Sequence, residues 1–164
     1  MAKAPYIKND QGLYRVRGYV SPDALVQIAA DILLENLAGP GNMTKPEDAA
    51  RFLQLSLAKE KNEHFAVLFL NNKHQVICFE RMFTGTIDGA AVYPRVVVQR
   101  ALEHNAAAVI FAHNHPSGCA NPSEADRSIT RRLSEALSLV DVRVLDHFVV
   151  SQSEWVSLAE RGWI

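Results

Sequence analysis

The chain has little cysteine: two residues in 164, Cys78 and Cys119. Two thiols do not make a disulfide framework, which excludes the small stapled folds of secreted proteins. It also lacks charge of one sign. Seventeen Lys and Arg face eighteen Asp and Glu, for a net charge of −1, so no overall field draws the chain to a nucleic acid or an anionic membrane. No uninterrupted apolar run approaches membrane-spanning length, and the first five residues hold no apolar signal core, so the expectation is a cytoplasmic protein. Internal repeats and low-complexity tracts are missing too. What remains is an ordinary globular composition, 48% hydrophobic and 21% charged, at a length that suits one domain with a substantial core.

The stretch that bears chemistry is 106–126. Ala106-Ala107-Ala108-Val109-Ile110-Phe111-Ala112 is apolar enough for a fully buried strand. It leads into His113-Asn114-His115, then a loop punctuated by Pro116, Gly118 and Pro122, and a helix starting at Ser123 with Asp126 in its first turn. In an extended segment residues i and i+2 share a face, so the rings of His113 and His115 converge. Two imidazoles and a carboxylate make three protein ligands and leave a fourth tetrahedral position open, the layout of a catalytic zinc site. A plainer reading stands beside it. Ser123-x-x-Asp126 is also an ordinary capping box, with Asp126 spent on backbone N–H groups.

Taken whole, the string His-x-His-Pro, six residues, Ser-x-x-Asp resembles the signature of the JAMM (MPN) metalloproteases, matched here by His113, His115, Pro116, Ser123 and Asp126. Its longer form, His-Asn-His-Pro-Ser-Gly with Pro-Ser-x-x-Asp, is similar to the RadC branch of that superfamily. The resemblance covers 44–164 and leaves 1–43 as an N-terminal helical extension. It implies an α/β fold, a three-layer α/β/α MPN domain with a mixed sheet, related in shape to cytidine deaminases. It further implies Zn2+ held by His113, His115 and Asp126, with peptide or isopeptide hydrolysis as the activity. The family's base is a Glu near the start of an early strand, which places the role on Glu63, with Glu60 as fallback; otherwise Glu63 is a solvated residue ending the charged run 59–63. Ser123 takes the part of the oxyanion-holding serine.

Cys119 occupies a loop position where RadC-like chains more often carry an acid, and is either a thiol near the zinc or a small hydrophobe. Asp146-His147 resembles the Leu-Asp-His stretch of the same chains. It is either a partner that orients a zinc ligand or a hydrogen-bonded polar pair on a strand. His64, His74 and His104 read as surface residues.

The remaining elements follow from capping and periodicity. Ser21, Pro22 and Asp23 open a helix whose Leu25, Ile28, Ala29, Ile32, Leu33 and Leu37 form an apolar stripe, stopped by Gly39-Pro40-Gly41. The stripe packs on the core or on a second subunit, so a homo-oligomer is left open. Thr44, Pro46 and Glu47 open a second helix with Ala49, Phe52, Leu53, Ser56 and Leu57 on one face. Residues 63–70 and 74–83 read as a hairpin around Asn71-Asn72-Lys73, with breaks at Thr84-Gly85-Thr86 and Asp88-Gly89. A helix at 95–104, a strand at 106–112, a helix at 123–139 with Ile129, Leu133, Ala136 and Leu137 inward, and a strand at 142–150 complete the pattern. Trp155, Leu158 and Trp163 close the chain.

Other chemistries fit less well. An HNH nuclease disperses its three residues over a ββα unit, whereas here they are adjacent. A zinc nucleoside deaminase needs His-x-Glu and Pro-Cys-x-x-Cys, which this chain lacks. The alternative to an enzyme is a DNA-repair-associated or protein-binding module. Near-neutral charge and the lack of a glycine hairpin pattern near the N-terminus count against DNA as partner, and the complete ligand set favours hydrolysis.

Overall fold

The structure, a computed structural model, describes residues 4–39, 45–85 and 91–164. A small hairpin comes first, β1 (Tyr6–Lys8) antiparallel to β2 (Tyr14–Val16), followed by helices α1 (Pro22–Ala38) and α2 (Pro46–Leu57). Strands β3 (His64–Leu70) and β4 (Val76–Thr84), helix α3 (Pro94–Glu103), strand β5 (Ala108–Asn114), helix α4 (Glu124–Ser138), and strands β6 (Arg143–Val150) and β7 (Trp155–Ser157) complete the order. The main sheet runs β4-β3-β5-β6-β7, antiparallel throughout except for the parallel β5–β6 pair joined through α4. The chain is therefore α/β with a mixed sheet.

Alternation along the central strands builds two cores. Ala66, Leu68 and Leu70 of β3 and Ala108, Ile110 and Ala112 of β5 face α1 and α2, where Ala30, Leu37, Ala49, Ala50, Phe52, Leu53 and Leu57 meet them. Phe65, Val67, Phe69, Val109 and Phe111 face the other way, against Val97 and Ala101 of α3 and Leu133 and Leu137 of α4. That gives the three layers. It also explains the continuous apolar runs in β3 and β5: both faces are covered, so neither strand has a polar side until its end.

Several local expectations shift. The first stripe is shorter than its pattern, because Leu25 is exposed while Ile28, Ala30 and Leu37 are buried; small Ala30 joins Ala49 and Ala50 where α1 and α2 approach closely. Pro40, Gly41, Thr44, Thr86, Asp88 and Gly89 lie outside the described residues; α2 itself starts from Lys45 with Pro46 in its first turn. β4 begins at Val76 rather than at residue 74. The Asn71 side chain accepts from the N–H groups of Lys73 (2.9 Å) and Gln75 (3.0 Å), and His74 adopts φ 57°, which keeps the turn wound two residues further. β5 ends later than expected, at Asn114, because its ladder with β6 continues until the His115 N–H donates to the Val150 carbonyl (2.9 Å). His113 is thus inside the sheet rather than beyond it.

The three histidines read as surface residues are in fact partly buried. His64 bonds Thr84 Oγ1 through Nδ1 (3.1 Å), His104 bonds Glu80 (2.6 Å) and packs at a tilt against Phe69, and His74 meets Arg143 (3.1 Å). No helix among the described residues is long and apolar enough to cross a membrane.

Candidate metal centre

The centre forms where the carboxyl end of β5 meets the amino end of α4. His113 continues the side of β5 that carries Val109 and Phe111, so its ring enters the layer held by α4. Its Nε2 lies 3.0 Å from Nε2 of His115 and 3.2 Å from Oδ1 of Asp126; Oδ2 of Asp126 is 3.6 Å from His115 Nε2. His113 is almost wholly buried, while His115 and Asp126 keep a modest opening to solvent. These three residues form one of two groups among the described residues whose donor atoms are close enough to hold a single ion.

The sequence left a choice between cap and ligand for Asp126; the structure forms the cap and still leaves one carboxylate oxygen toward His113. Ser123 Oγ accepts from the Asp126 N–H (3.1 Å), and Oδ2 of Asp126 accepts from the Ser123 N–H (2.7 Å) and hydroxyl (2.8 Å). Those bonds leave Oδ1 turned toward His113. The capping box fixes the carboxylate rather than consuming it.

Hydrogen bonds also set the proton on each ring. The Thr130 hydroxyl donates to the Asp126 carbonyl one turn back (2.6 Å), so its oxygen is free to accept from His147 Nδ1–H (2.6 Å). His147 is fully buried; burial, then the repulsion an imidazolium here would meet from the His113 side, hold its pKa well below the usual histidine value, so the ring is neutral. Its Nε2 must therefore accept, and the donor is His113 Nδ1–H (2.8 Å). That places the lone pair of His113 on Nε2, facing the centre. His115 reaches the same state independently, since its Nδ1–H donates to the Cys119 carbonyl (2.9 Å).

Two imidazole lone pairs and a carboxylate at these distances repel one another unless a positive charge sits among them. The Asp126 carboxylate, 3.6 Å away, raises the His115 pKa against burial, helped by the Cys119 carbonyl and the charge of Glu63. Burial opposes ionisation of Asp126, yet the adjacent His113 and His115 rings, with the Ser123 N–H, hold the carboxyl far below the usual range. This donor set fits a divalent ion of the zinc class, in which two neutral imidazoles and one carboxylate leave a coordination position open.

A cleft of about 820 Å³ opens over the centre, and Glu63, Ser123, His113, His115 and Asp126 all line it, with Phe65, Val92 and Ile129 as its apolar walls. Glu63 reaches the cleft because β3 and β5 are antiparallel. Phe65 pairs with His113, so extending the register two places puts Glu63 beside His115. Glu60 is absent from the lining; it pairs with Arg81 (2.6 Å) and approaches His64 (3.7 Å). The exposed Cys119 does not bring its thiol into the donor group, and serves the centre through its backbone carbonyl.

His147 is the ring that orients His113, one of its two readings from the sequence. Asp146 does a different job: its carboxylate accepts from the N–H groups of His147 (2.7 Å) and Ala159 (3.0 Å) and from the Ser157 hydroxyl (2.6 Å), tying β6 to the C-terminal turn. Thr130 was missed. Its signal was a lone hydroxyl residue on the inward stripe of α4, three residues before Leu133 and seven before Leu137. The second candidate group, Cys78, Glu80 and His104, is already satisfied as an ion-pair network, because Arg100 holds both Glu80 oxygens.

A family profile described as RadC-like JAB domain matches residues 43–163. A UPF0758 protein of Vibrio parahaemolyticus is 54% identical over 146 residues, covering 89% of this chain and 65% of the relative. A UPF0758 protein of Marinobacter nauticus is 56% identical over 144 residues, covering 88% and 64%, and one of Vibrio vulnificus is 56% identical over 146 residues, covering 89% and 65%. The chain spans just under two thirds of the length of these relatives. With a profile match across most of its length and relatives above half identity, this chain belongs to the RadC-like JAB domain family.

Proposed function

We propose that this chain is a zinc-dependent hydrolase that cleaves peptide or isopeptide bonds, with His113, His115 and Asp126 holding the metal. The observation that supports this reading is the convergence of both Nε2 lone pairs and the Asp126 carboxylate on one wall of a cleft that Glu63 also lines. Bound zinc supplies Lewis acidity toward a carbonyl and toward water.

The protein's own residues do the rest. Glu63 is the base at the mouth of the cleft; it takes a proton from the attacking water and returns it to the leaving amine. Phe65, Val92 and Ile129 exclude bulk water from the side facing α3 and α4. Ser123 donates toward the oxyanion as charge develops. To do so its hydroxyl turns from Oδ2 of Asp126, which stays anchored by the Ser123 backbone N–H (2.7 Å).

The test is hydrolysis of fluorogenic peptides and of a lysine-linked isopeptide by zinc-loaded protein, alongside Glu63→Gln. The expected result is turnover in the wild type and a fall of about 10²–10⁴ in kcat for the variant, with zinc retained, as befits removal of a general base. Turnover undiminished in Glu63→Gln would remove Glu63 from the role, and a zinc-loaded wild type that hydrolyses neither class would refute the reading.

A further inference from the structure

Nothing on its own side chain fixes Glu63. Among the described residues its carboxylate has no hydrogen-bond or ion-pair partner, whereas Glu60 is clamped by Arg81. A base that must sit over one point of a cleft then depends on the backbone that carries it. That backbone lies just before β3, where the ladder has not yet begun.

Asn114 supplies the missing restraint. It stands between the two histidines, and continues the side of β5 that carries Ala108, Ile110 and Ala112, opposite to His113. Extending the β3–β5 register places it beside His64. It is fully buried. Its Oδ1 accepts from the His64 N–H (2.8 Å), and its Nδ2 donates to the Asn62 carbonyl (3.0 Å) and, at longer range, to the Glu60 carbonyl (3.4 Å). One amide thus grips the chain on both sides of Glu63, and the Gly85 N–H holds the Glu63 carbonyl itself (2.8 Å).

We propose that Asn114 is a positioning residue that fixes Glu63 over the metal centre, so that the central residue of His-Asn-His couples the ligand strand to the base. The chemistry requires an amide. Only Asn at this length offers one acceptor for an N–H and donors for two carbonyls; Asp would turn an acceptor toward both carbonyls, and Ala would leave all three groups unpaired. The assignment of Asn114 to catalysis rests on the hydrolase reading, but its grip on 60–64 does not.

The test uses the full chain with zinc, comparing wild type, Asn114→Asp and Asn114→Ala, each also in the Glu63→Gln background. Three quantities are read: zinc per chain, peptide kcat and KM, and amide hydrogen exchange at 60–64 against 65–70. The expected result is unchanged zinc, exchange at 60–64 faster by about tenfold or more with 65–70 unaffected, and a kcat fall of about tenfold at constant KM. In the Glu63→Gln background the same replacements should cost nothing further. Unchanged exchange at 60–64, or an equal kcat loss with Glu63 already removed, would overturn the proposal. Should neither variant fold, the wild-type His64 amide decides: protection comparable to β3 supports the grip, and exchange at the rate of an open loop refutes it. A zinc-loaded wild type without turnover would refute the hydrolase reading, while the exchange comparison would still decide the role of Asn114 in holding the segment.

Discussion

Thr130→Val is the perturbation that isolates how this protein sets the tautomer of His113. Val matches Thr in volume and branching, so the filled space is kept, while the hydroxyl is lost. The His147 Nδ1–H then has no acceptor in a fully buried position, a cost of about 1–3 kcal/mol. His147 relieves it by moving its proton to Nε2. That proton confronts His113 Nδ1–H across 2.8 Å, so His113 must in turn carry its proton on Nε2, where the metal would sit. Zinc binding then includes reversing two tautomers. We expect zinc affinity to fall about 10- to 100-fold, the usual effect of deleting a partner behind a ligand, or about 1.4–2.7 kcal/mol. Competition against a chelating dye measures the affinity, and two-bond ¹H–¹⁵N correlation spectra of the imidazoles report the tautomers directly. Thr130→Ser should restore both. Affinity within twofold of wild type, together with His113 still protonated on Nδ1, would refute the relay.

Four further outcomes follow from other parts of the structure. Ser123→Ala should weaken the α4 cap by about 1 kcal/mol and lower kcat by about 10²–10³ while zinc is retained; a variant losing only stability would mean that the hydroxyl serves the helix alone. Asp146→Ala should cost about 3 kcal/mol in urea unfolding, because it strands the His147 and Ala159 N–H groups and the Ser157 hydroxyl; Asp146→Asn should be mild. Burial raises the Asp146 pKa, so its protonated form favours the fold, and the wild type should lose stability relative to Asp146→Asn as pH rises from the ordinary carboxylate range through the raised value. A pH-independent difference would contradict that. A thiol reagent should label exposed Cys119 quickly and Cys78 slowly, since burial pushes the Cys78 thiol up to about 11; equal rates would show that β4 opens readily.

The residues that converge on the centre were legible in the sequence because their spacing encodes geometry. His-x-His on a strand puts two rings on one side, and the Ser123 cap fixes where in the first turn of α4 Asp126 falls. The main strands and helices were legible for the same reason, as runs with clear periodicity. What was not legible depends on contacts between distant segments. Leu25 fits the helical stripe as well as Ile28 does, but only the close approach of α1 to α2 decides that Ala30 is covered and Leu25 is not. The partly buried state of His64 and His104 arises from networks with Thr84, Glu80 and Arg100 that bridge twenty residues or more. The Thr130–His147–His113 relay links α4, β6 and β5; His113 and His147 both lay in recognisable stretches, but Thr130, which closes the relay, did not. Asn114 lay in the same stretch as His113, yet its role depends on which chain segment the sheet brings alongside.

The most direct test of the central claim is the zinc content of protein purified without chelator, set beside Asp126→Ala. About one zinc per chain in the wild type, lost in a variant that remains folded, is the result predicted by a centre of His113, His115 and Asp126. A folded wild type that carries no zinc and takes none up on addition would contradict it, and would leave Asp126 as the capping residue of α4.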